Sequence, residues 1–271
     1  MCLETITKTP GNYREFMSEL PDYVAVNREH WDREAHEWVE MGERAWTEEP
    51  SWGIWGIPEA ELGMLPEDLD GMAAIELGCG TAYVSAWMTR RGARCVGIDN
   101  SENQLATARR LADEHGIEIE LIHGNAEAVP QPDGSFDFAV SEYGAAIWAD
   151  PYKWIPEAWR LLKSGGELSF LGHHPLVMLV QQREGGDEVT RELLYPYFGL
   201  HRVDWFEGDD RGTEFNLPIS TWMRLFDETG FDIVAYHEIR SPSRDGETRF
   251  YVAPEWAHDY PAEQVWRLRK R

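Results

Sequence analysis

Between residues 72 and 174, short apolar runs alternate with amphipathic stretches five times over. No other feature of the chain restricts its fold as much. Strands joined through helices pair in parallel, and a parallel sheet is covered on both faces. Residues 73–77 are the first apolar run and stop at Gly78. A helix is expected from about Thr81, with Val84, Trp87 and Met88 on one face and Gly92 as its stop. Residues 94–98 read as a second strand ending at Asp99. Ser101 and Gln104 have capping-box spacing ahead of the stripe Leu105, Ala108, Leu111 and Ala112. Residues 119–123 and 136–141 read as the third and fourth strands. Pro156 is expected to open a helix closed by Gly165 and Gly166. Residues 167–171 form a fifth strand running into His173 and His174. A barrel would need eight such units, so an open doubly wound sheet is expected. Ligands of such sheets bind beyond the C-terminal strand ends. There the loops 78–81, 99–101, 124–127 and 141–143 converge.

The pattern divides the chain into four parts. Residues 1–71 are a helical, tryptophan-rich cap, and 72–174 the nucleotide-binding α/β core. Residues 175–217 are an irregular insertion after the fifth strand, and 218–271 supply a helix and the last two strands. With 271 residues and 42% hydrophobic content, the chain suits one α/β domain with a cap. Asp and Glu number 49 against 25 Lys and Arg, a net charge of −24. Such a surface repels phosphate backbones and anionic lipid, so neither nucleic acid nor membrane is an expected partner. The cysteines are only Cys2, Cys79 and Cys95, which does not suggest a disulfide framework and fits a reducing cytoplasm. Met1 to Pro10 shows no secretory pattern, and no apolar run approaches the roughly 18 residues of a membrane span.

The first loop, Glu76-Leu-Gly78-Cys79-Gly80-Thr81-Ala82, is a glycine-rich turn from strand to helix. Gly78 and Gly80 let the backbone turn sharply and let a ligand approach it. The dinucleotide fingerprint would place glycine at position 83, where this chain has Tyr83. Glu76, two residues before the first glycine, suits an ammonium better than a pyrophosphate. Both details favour S-adenosylmethionine over NAD. Asp99 lies 21 residues after Gly78, where a carboxylate can accept from ribose hydroxyls or cap the next helix. Gln104 either lines the adenosine site or completes the capping box with Ser101.

Five motifs stand in order: Ile75-Glu-Leu-Gly-Cys-Gly-Thr81, Val96-Gly-Ile-Asp-Asn-Ser101, Gly124-Asn-Ala-Glu-Ala-Val-Pro130, Phe136-Asp-Phe138 and Leu162-Lys-Ser-Gly-Gly166. Together they resemble the class I S-adenosylmethionine-dependent methyltransferases, in particular the branch of the ubiquinone and menaquinone biosynthesis methyltransferases. The resemblance covers residues 72–174. It implies a Rossmann-like, mostly parallel sheet of seven strands whose last is antiparallel. It also implies S-adenosylmethionine as cofactor and S-adenosylhomocysteine as product. Glu76, Gly78, Cys79, Gly80 and Thr81 would then hold the methionine part and Asp99 the ribose, with Asn100 and Gln104 also among the cofactor-binding residues. Asn125, Ala126 and Glu127 would border the adenine, and Ser141 to Tyr143 the methyl donor. The chain departs from the family at Ala82, where a third glycine is usual, at Asn125, where Asp is usual, and at Ser164, where proline is common.

Methyl transfer needs alignment of nucleophile, methyl and sulfur more than acid–base machinery. A base matters only where the acceptor must lose a proton. His173, His174 and Tyr143 are the candidates, with loop or pocket-wall roles as the alternative. No residue spacing suggests a metal site. Of 13 tryptophans, Trp31, Trp38, Trp46, Trp52 and Trp55 precede the glycine loop. Trp31, Trp38, Trp52 and Trp55 are read either as a helical layer packed on the sheet or as a lid over the acceptor. The aromatic residues of 175–217 join that lid. The acceptor is expected to be a small molecule, neutral, cationic or aromatic. Competing readings are a NAD-type oxidoreductase on the same sheet and a catalytically silent S-adenosylmethionine-binding regulatory protein.

Overall fold

The computed structural model describes residues 20–186 and 188–271. Cys2 and the absence of a secretory pattern at Met1 to Pro10 lie outside the described residues, as does the start of the 1–71 segment. The described residues open with α1 (Asp22–Glu34), a 3-10 turn (Ala35–Trp38) and α2 (Val39–Thr47). A small antiparallel hairpin, β1 (Ser51–Trp52) and β2 (Ile57–Pro58), and a one-turn α3 (Glu59–Leu62) follow. The core then alternates β3 (Ala73–Leu77), α4 (Tyr83–Arg90), β4 (Arg94–Asp99), α5 (Glu102–His115), β5 (Glu120–His123) and β6 (Phe136–Glu142). After it come α6 (Ala145–Trp148), α7 (Pro151–Leu161), β7 (Leu162–His173) and α8 (Pro175–Val180). The chain continues through the hairpin β8 (Arg202–Glu207) and β9 (Asp210–Phe215), then α9 (Ile219–Thr229) and β10 (Phe231–Ile239). It closes with α10 (Pro254–Asp259) and β11 (Glu263–Lys270).

Seven strands form one sheet in the order β10-β11-β7-β6-β3-β4-β5. All neighbours from β7 to β5 pair in parallel, and β11 runs antiparallel to both β7 and β10. The doubly wound sheet and its antiparallel last strand are as expected. Strand order reverses between β3 and β6, so the ligand-binding crevice opens above those two strands. Alternate residues of each strand face opposite layers. Ala74, Phe138 and Val140 join the core beneath α4 and the cap, whereas Ile75, Leu77 and Ala139 join the one beneath α7 and α9. Trp154, Phe170, Trp222 and Phe226 are fully buried in the second layer. Burial of one such side chain stabilises the fold by about 1.5–3 kcal/mol.

Two details differ from the sequence reading, and a third adds to it. The helix before β7 opens at Pro151, not Pro156: Asp150 accepts from the Tyr152 amide as N-cap, and Pro156 sits inside the helix. The stretch 175–217 is not irregular throughout, because it contains α8 and the β8–β9 hairpin. The basic residues of β11 are tied down. Arg267 and Arg269 pair with Glu167, and Lys270 donates to the carbonyls of Trp159 and Leu162. No helix among the described residues is long and apolar enough to cross a membrane.

Candidate functional site

The loops that leave β3, β4, β5 and β6 meet at one cavity of about 1140 Å³. Pockets for one small ligand hold roughly 300–1,000 Å³, so there is room for two ligands side by side. At the switch point the β3 and β6 loops touch. A Cβ on Gly78 would lie 2.5 Å from the Gly144 Cα, and one on Gly144 would lie 2.2 Å from the Gly78 carbonyl oxygen. Gly78 also takes φ 77°, so glycine is required there on two counts. Ala82 adopts φ 60° without being glycine, and its methyl is fully buried.

Glu76 is 2% exposed, and its Oε2 accepts from both the amide (2.8 Å) and the hydroxyl (2.6 Å) of Ser85. Burial raises its proton affinity to about pKa 8, against which the two Ser85 hydrogen bonds act. The first turn of α4 is thereby filled by a carboxylate of the chain itself. In a dinucleotide site that position belongs to the pyrophosphate. Asp99 is held by the Gly80 amide on Oδ2 (2.7 Å) and the Ser101 amide on Oδ1 (2.8 Å). Each oxygen keeps acceptor capacity beyond that amide. Ser101 caps α5 through the Gln104 amide, but the Ser101 amide goes to Asp99. Gln104 therefore does not close a capping box. Its Oε1 lies near the open face of Gly80, 3.9 Å from where a Cβ would stand, and the residue lines the cavity.

Gly78, Cys79, Gly80, Thr81, Asn100, Asn125 and Ala126 also line the cavity. Asn100 reaches α1 as well, accepting from Arg28 and donating to the Val24 carbonyl. Two cofactor-site expectations fail. Glu127 does not line the cavity; its carboxylate accepts from the Tyr23 hydroxyl and the Asp150 amide, tying α1 to the segment before α7. Ser141 is fully buried, donating to the Leu77 carbonyl and accepting from the Ala146 amide, so it joins β6 to β3 and α6. Its neighbours Glu142 and Tyr143 line the cavity instead.

Tyr143 takes φ 51°, a strained conformation for a ring-bearing residue. Its hydroxyl donates to Glu263 at 2.8 Å, and its ring meets His173 edge-on at 5.0 Å. His173 lines the cavity, and burial lowers its pKa to about 4, so it is neutral at physiological pH. His174 does not line it. It caps α8, its Nδ1 accepting from the Leu176 amide and its Nε2 facing Glu238 at 3.2 Å, which replaces the expected catalytic role with a structural one.

The roof is aromatic. Trp31 and Trp38 meet at 5.4 Å, Trp31 meets Trp148 at 5.2 Å, and Trp38 stacks on Phe250. All four line the cavity. Trp52 and Trp55, by contrast, belong to the hydrophobic core below, and the Trp52 indole donates to Glu59. The cap is fastened by polar contacts. Asn27, 2% exposed, exchanges hydrogen bonds with both backbone groups of Thr213 and donates to the Trp148 carbonyl. The turn between β1 and β2 is gripped by two acids: the Gly53 amide donates to Glu142 (2.7 Å) and the Ile54 amide to Glu263 (2.9 Å). Burial raises these carboxyls to about 7 and about 8. Sequence reasoning missed Glu214, Trp148 and Phe250 as residues of the cavity wall. Glu142 belongs to the 141–143 stretch expected beside the methyl donor, and it lines the cavity. Glu214 comes from a strand far along the chain that only the tertiary fold brings in. Among the described residues, no group of His, Cys, Asp or Glu is arranged to hold a metal ion.

Residues 75–170 match the family described as Methyltransferase domain. The chain is 29% identical over 182 residues to a demethylmenaquinone methyltransferase of Lactococcus lactis, covering 63% of this chain and 70% of that one. It is 36% identical over 96 residues to a ubiquinone biosynthesis O-methyltransferase of Ruegeria sp., covering 35% of this chain and 39% of that one. The chain thus spans about two fifths of the length of the Ruegeria relative. Among solved structures, an S-adenosylmethionine-dependent methyltransferase from Mesorhizobium loti superposes with TM-score 0.63 at 24% identity, covering 80% of this chain and all of that one. A Burkholderia thailandensis 1,6-didemethyltoxoflavin-N1-methyltransferase, holding its substrate and S-adenosylhomocysteine, gives 0.58 at 15% identity, covering 92% and 89%. At these identities the structural likenesses establish the fold.

Proposed function

We propose that this protein, whose residues 75–170 match a methyltransferase-domain family, transfers a methyl group from S-adenosylmethionine to O, N or an activated C of a small organic acceptor, neutral or cationic. The observation that carries this reading is the pairing of Glu76 with Ser85. It fills the α4 N-terminus with a carboxylate and leaves that end unfit for a pyrophosphate, which counts against the oxidoreductase alternative. S-adenosylmethionine, when bound, supplies an electrophilic methyl on a sulfonium. Gly78 to Thr81 and Asp99 bind its methionine and ribose parts, and Gln104, Asn125 and Ala126 border its adenine. Glu142 adds a carboxylate on the side of the cavity nearest the switch point.

The N-terminal segment (1–71) and the 175–217 segment serve as the acceptor-side cap over the 72–174 core, with 218–271 completing the sheet. The room left beside the cofactor loops and the aromatic roof support this division. Excluding water keeps the donor from side reactions and strengthens electrostatic effects inside the site. Tyr143 and His173 orient the acceptor. Buried and neutral, His173 is a weak base. The free, buried Cys79 and Cys95 support a reducing, cytoplasmic setting. Calorimetry tests the assignment: S-adenosylmethionine and S-adenosylhomocysteine bind and NAD does not. The opposite pattern sinks it. Release of S-adenosylhomocysteine in the presence of amine and phenol acceptors separates an enzyme from a silent binder.

A further inference from the structure

His173 is a weak base and His174 caps a helix, so neither is placed to take a proton from an acceptor. A third imidazole has the surroundings for it. Asn27, His30 and Trp31 stand three and four positions apart on α1 and so share one face of the helix. Asn27 ties that face to Thr213 of β9, and His30 reaches the same strand, with its Nδ1 3.0 Å from Oδ1 of Asp210. Indoles hold the ring itself. Trp148 stacks on it at 5.8 Å between ring centres, and Trp31 and Trp205 meet it edge-on at 5.0 and 5.2 Å. Packing on three sides fixes the ring plane, and Asp210 fixes the rotation within that plane.

Oδ1 of Asp210 also accepts from the Arg33 guanidinium and the Arg211 amide, and Arg33 is itself paired with Glu34. Burial favours a protonated Asp210, but the hydrogen bonds from His30 and the Arg211 amide and the charge of Arg33 hold it below the ordinary carboxylate range. An ionised carboxylate has no proton to give. Nδ1 of His30 therefore carries the hydrogen of that contact, and Nε2 carries a lone pair. Among the described residues Nε2 has no hydrogen-bond partner, yet it is not one of the sealed polar atoms. His30 lines the cavity, although its side chain is only 10% exposed. Buried polar groups ordinarily have partners, and the partner of this one has to come from what the cavity holds.

The cavity wall bears on the state in which an acceptor arrives. Ten acidic residues and three arginines line it. An acceptor already ionised to an oxyanion would be repelled, so a hydroxyl enters with its proton and must lose it inside.

We propose that His30 is the catalytic base of the methyl transfer, that Asp210 is its positioning residue, and that the acceptor is methylated on a hydroxyl. This rests on the methyltransferase reading above. Nε2 takes the hydroxyl proton while the oxygen forms its bond to the methyl carbon and the carbon–sulfur bond breaks, leaving its electron pair on sulfur. Asp210 stabilises the imidazolium, which returns the proton to water once the product has left. Histidine and carboxylate have the same division of labour in a catalytic triad.

Two measurements on the full chain test this. Histidine tautomers are read by long-range nitrogen–proton correlation NMR with isotope-labelled histidine, at alkaline pH, where an imidazole is neutral. His30 is picked out of the nine histidines by its loss in His30→Gln. Wild type should show the Nδ1–H form, the minor form of a free imidazole, and Asp210→Ala should shift it towards Nε2–H. An Nε2–H ring in wild type, or no shift in Asp210→Ala, overturns the proposal. Turnover is followed as release of S-adenosylhomocysteine, with catechol and the more acidic 4-nitrocatechol as probe acceptors. His30→Gln should lower kcat for catechol by about 10²–10⁴-fold, the usual contribution of a positioned base, and lower it less for 4-nitrocatechol, which gives up its proton more easily. Its S-adenosylhomocysteine affinity should stay near that of wild type. Asp210→Ala, which leaves the ring in place, should show the same order of losses and carries the test if His30→Gln does not fold. A catechol loss below about tenfold, or equal losses for the two probes, overturns the base. So does a wild type that binds S-adenosylhomocysteine and methylates neither probe. Those outcomes leave the methyltransferase reading intact, whereas a wild type that does not bind S-adenosylhomocysteine sinks that reading and the base with it.

Discussion

Oε2 of Glu76 lies 2.8 Å from the amide nitrogen of Ser85 and 2.6 Å from its hydroxyl, so the last turn of a strand and the first turn of the following helix are joined by one side chain. The same residue therefore shapes the binding loop and holds the crossover. Glu76→Ala leaves two buried Ser85 donors unpaired, and each such group costs about 1–3 kcal/mol. Denaturant unfolding should show a loss in that range or above it, whereas Glu76→Gln, which keeps an acceptor oxygen, should lose clearly less. Equal losses in the two variants would mean that the charge, not the hydrogen bonds, matters here.

Asp99 has a double duty, because its two oxygens are already held by the Gly80 and Ser101 amides. Asp99→Ala should weaken S-adenosylmethionine binding by about 2–4 kcal/mol, the scale of hydrogen bonds to a charged acceptor. It should also lower stability, by about 1–3 kcal/mol, since two backbone donors lose their acceptor. Calorimetry and unfolding on the same preparation check both. Affinity within about twofold of wild type would reduce Asp99 to a loop brace.

Burial raises Glu263 to about 8 and Glu142 to about 7, from an ordinary value near 4.5. A carboxyl whose native pKa is raised binds its proton more tightly folded than unfolded. Its contribution is complete below about pH 4.5 and is lost as pH climbs through about 7–8. Thermal midpoints should accordingly fall from about pH 5.5 to about pH 8.5. In Glu263→Gln, which cannot ionise, that fall should be smaller. Parallel pH profiles for the two proteins would show that Glu263 titrates normally.

Trp38 and Trp52 offer a contrast between two tryptophans 14 positions apart. Trp38 is half-buried on the cavity wall, and Trp52 is fully buried in the core. Trp38→Ala should lower kcat/KM for the acceptor with S-adenosylmethionine affinity nearly unchanged. Trp52→Ala should lower unfolding free energy by about 3–5 kcal/mol. If Trp38→Ala proves as destabilising as Trp52→Ala, the 3-10 turn that carries it is part of the core and not a wall of the acceptor space.

The fold core was legible because parallel strands are covered on both faces and so appear as mainly apolar runs, as in Ala73–Leu77, broken only by Glu76, and Arg94–Asp99, charged only at its ends. The β8–β9 hairpin was not, since its strands are polar and half exposed. Its two-residue turn, Gly208-Asp209 with Gly208 at φ 60°, was nonetheless a readable signal. Pro156 misled because proline usually opens helices, and the Asp150-Pro151 pair upstream was the true start. In the site, the residues on the glycine loop and at strand ends could be read by position. Ser141, Glu127 and His174 could not, because whether a polar side chain turns toward a ligand or toward a neighbouring amide depends on packing that a single sequence does not encode. The same limit hid Glu214, which reaches the cavity only because β9 packs against α1 and α6.

Asn27 exchanges hydrogen bonds with both backbone groups of Thr213, so a residue near the N-terminal end and one almost two hundred positions later are matched as a strand would match its neighbour. With the two segments forming the proposed acceptor-side cap, acceptor preference would not be the property of either one alone. A relative's N-terminal helix grafted onto this core would arrive without the hairpin backbone it was cut to fit, and a grafted hairpin would find no amide waiting. New specificities on this scaffold would have to be inherited, or engineered, as a matched pair.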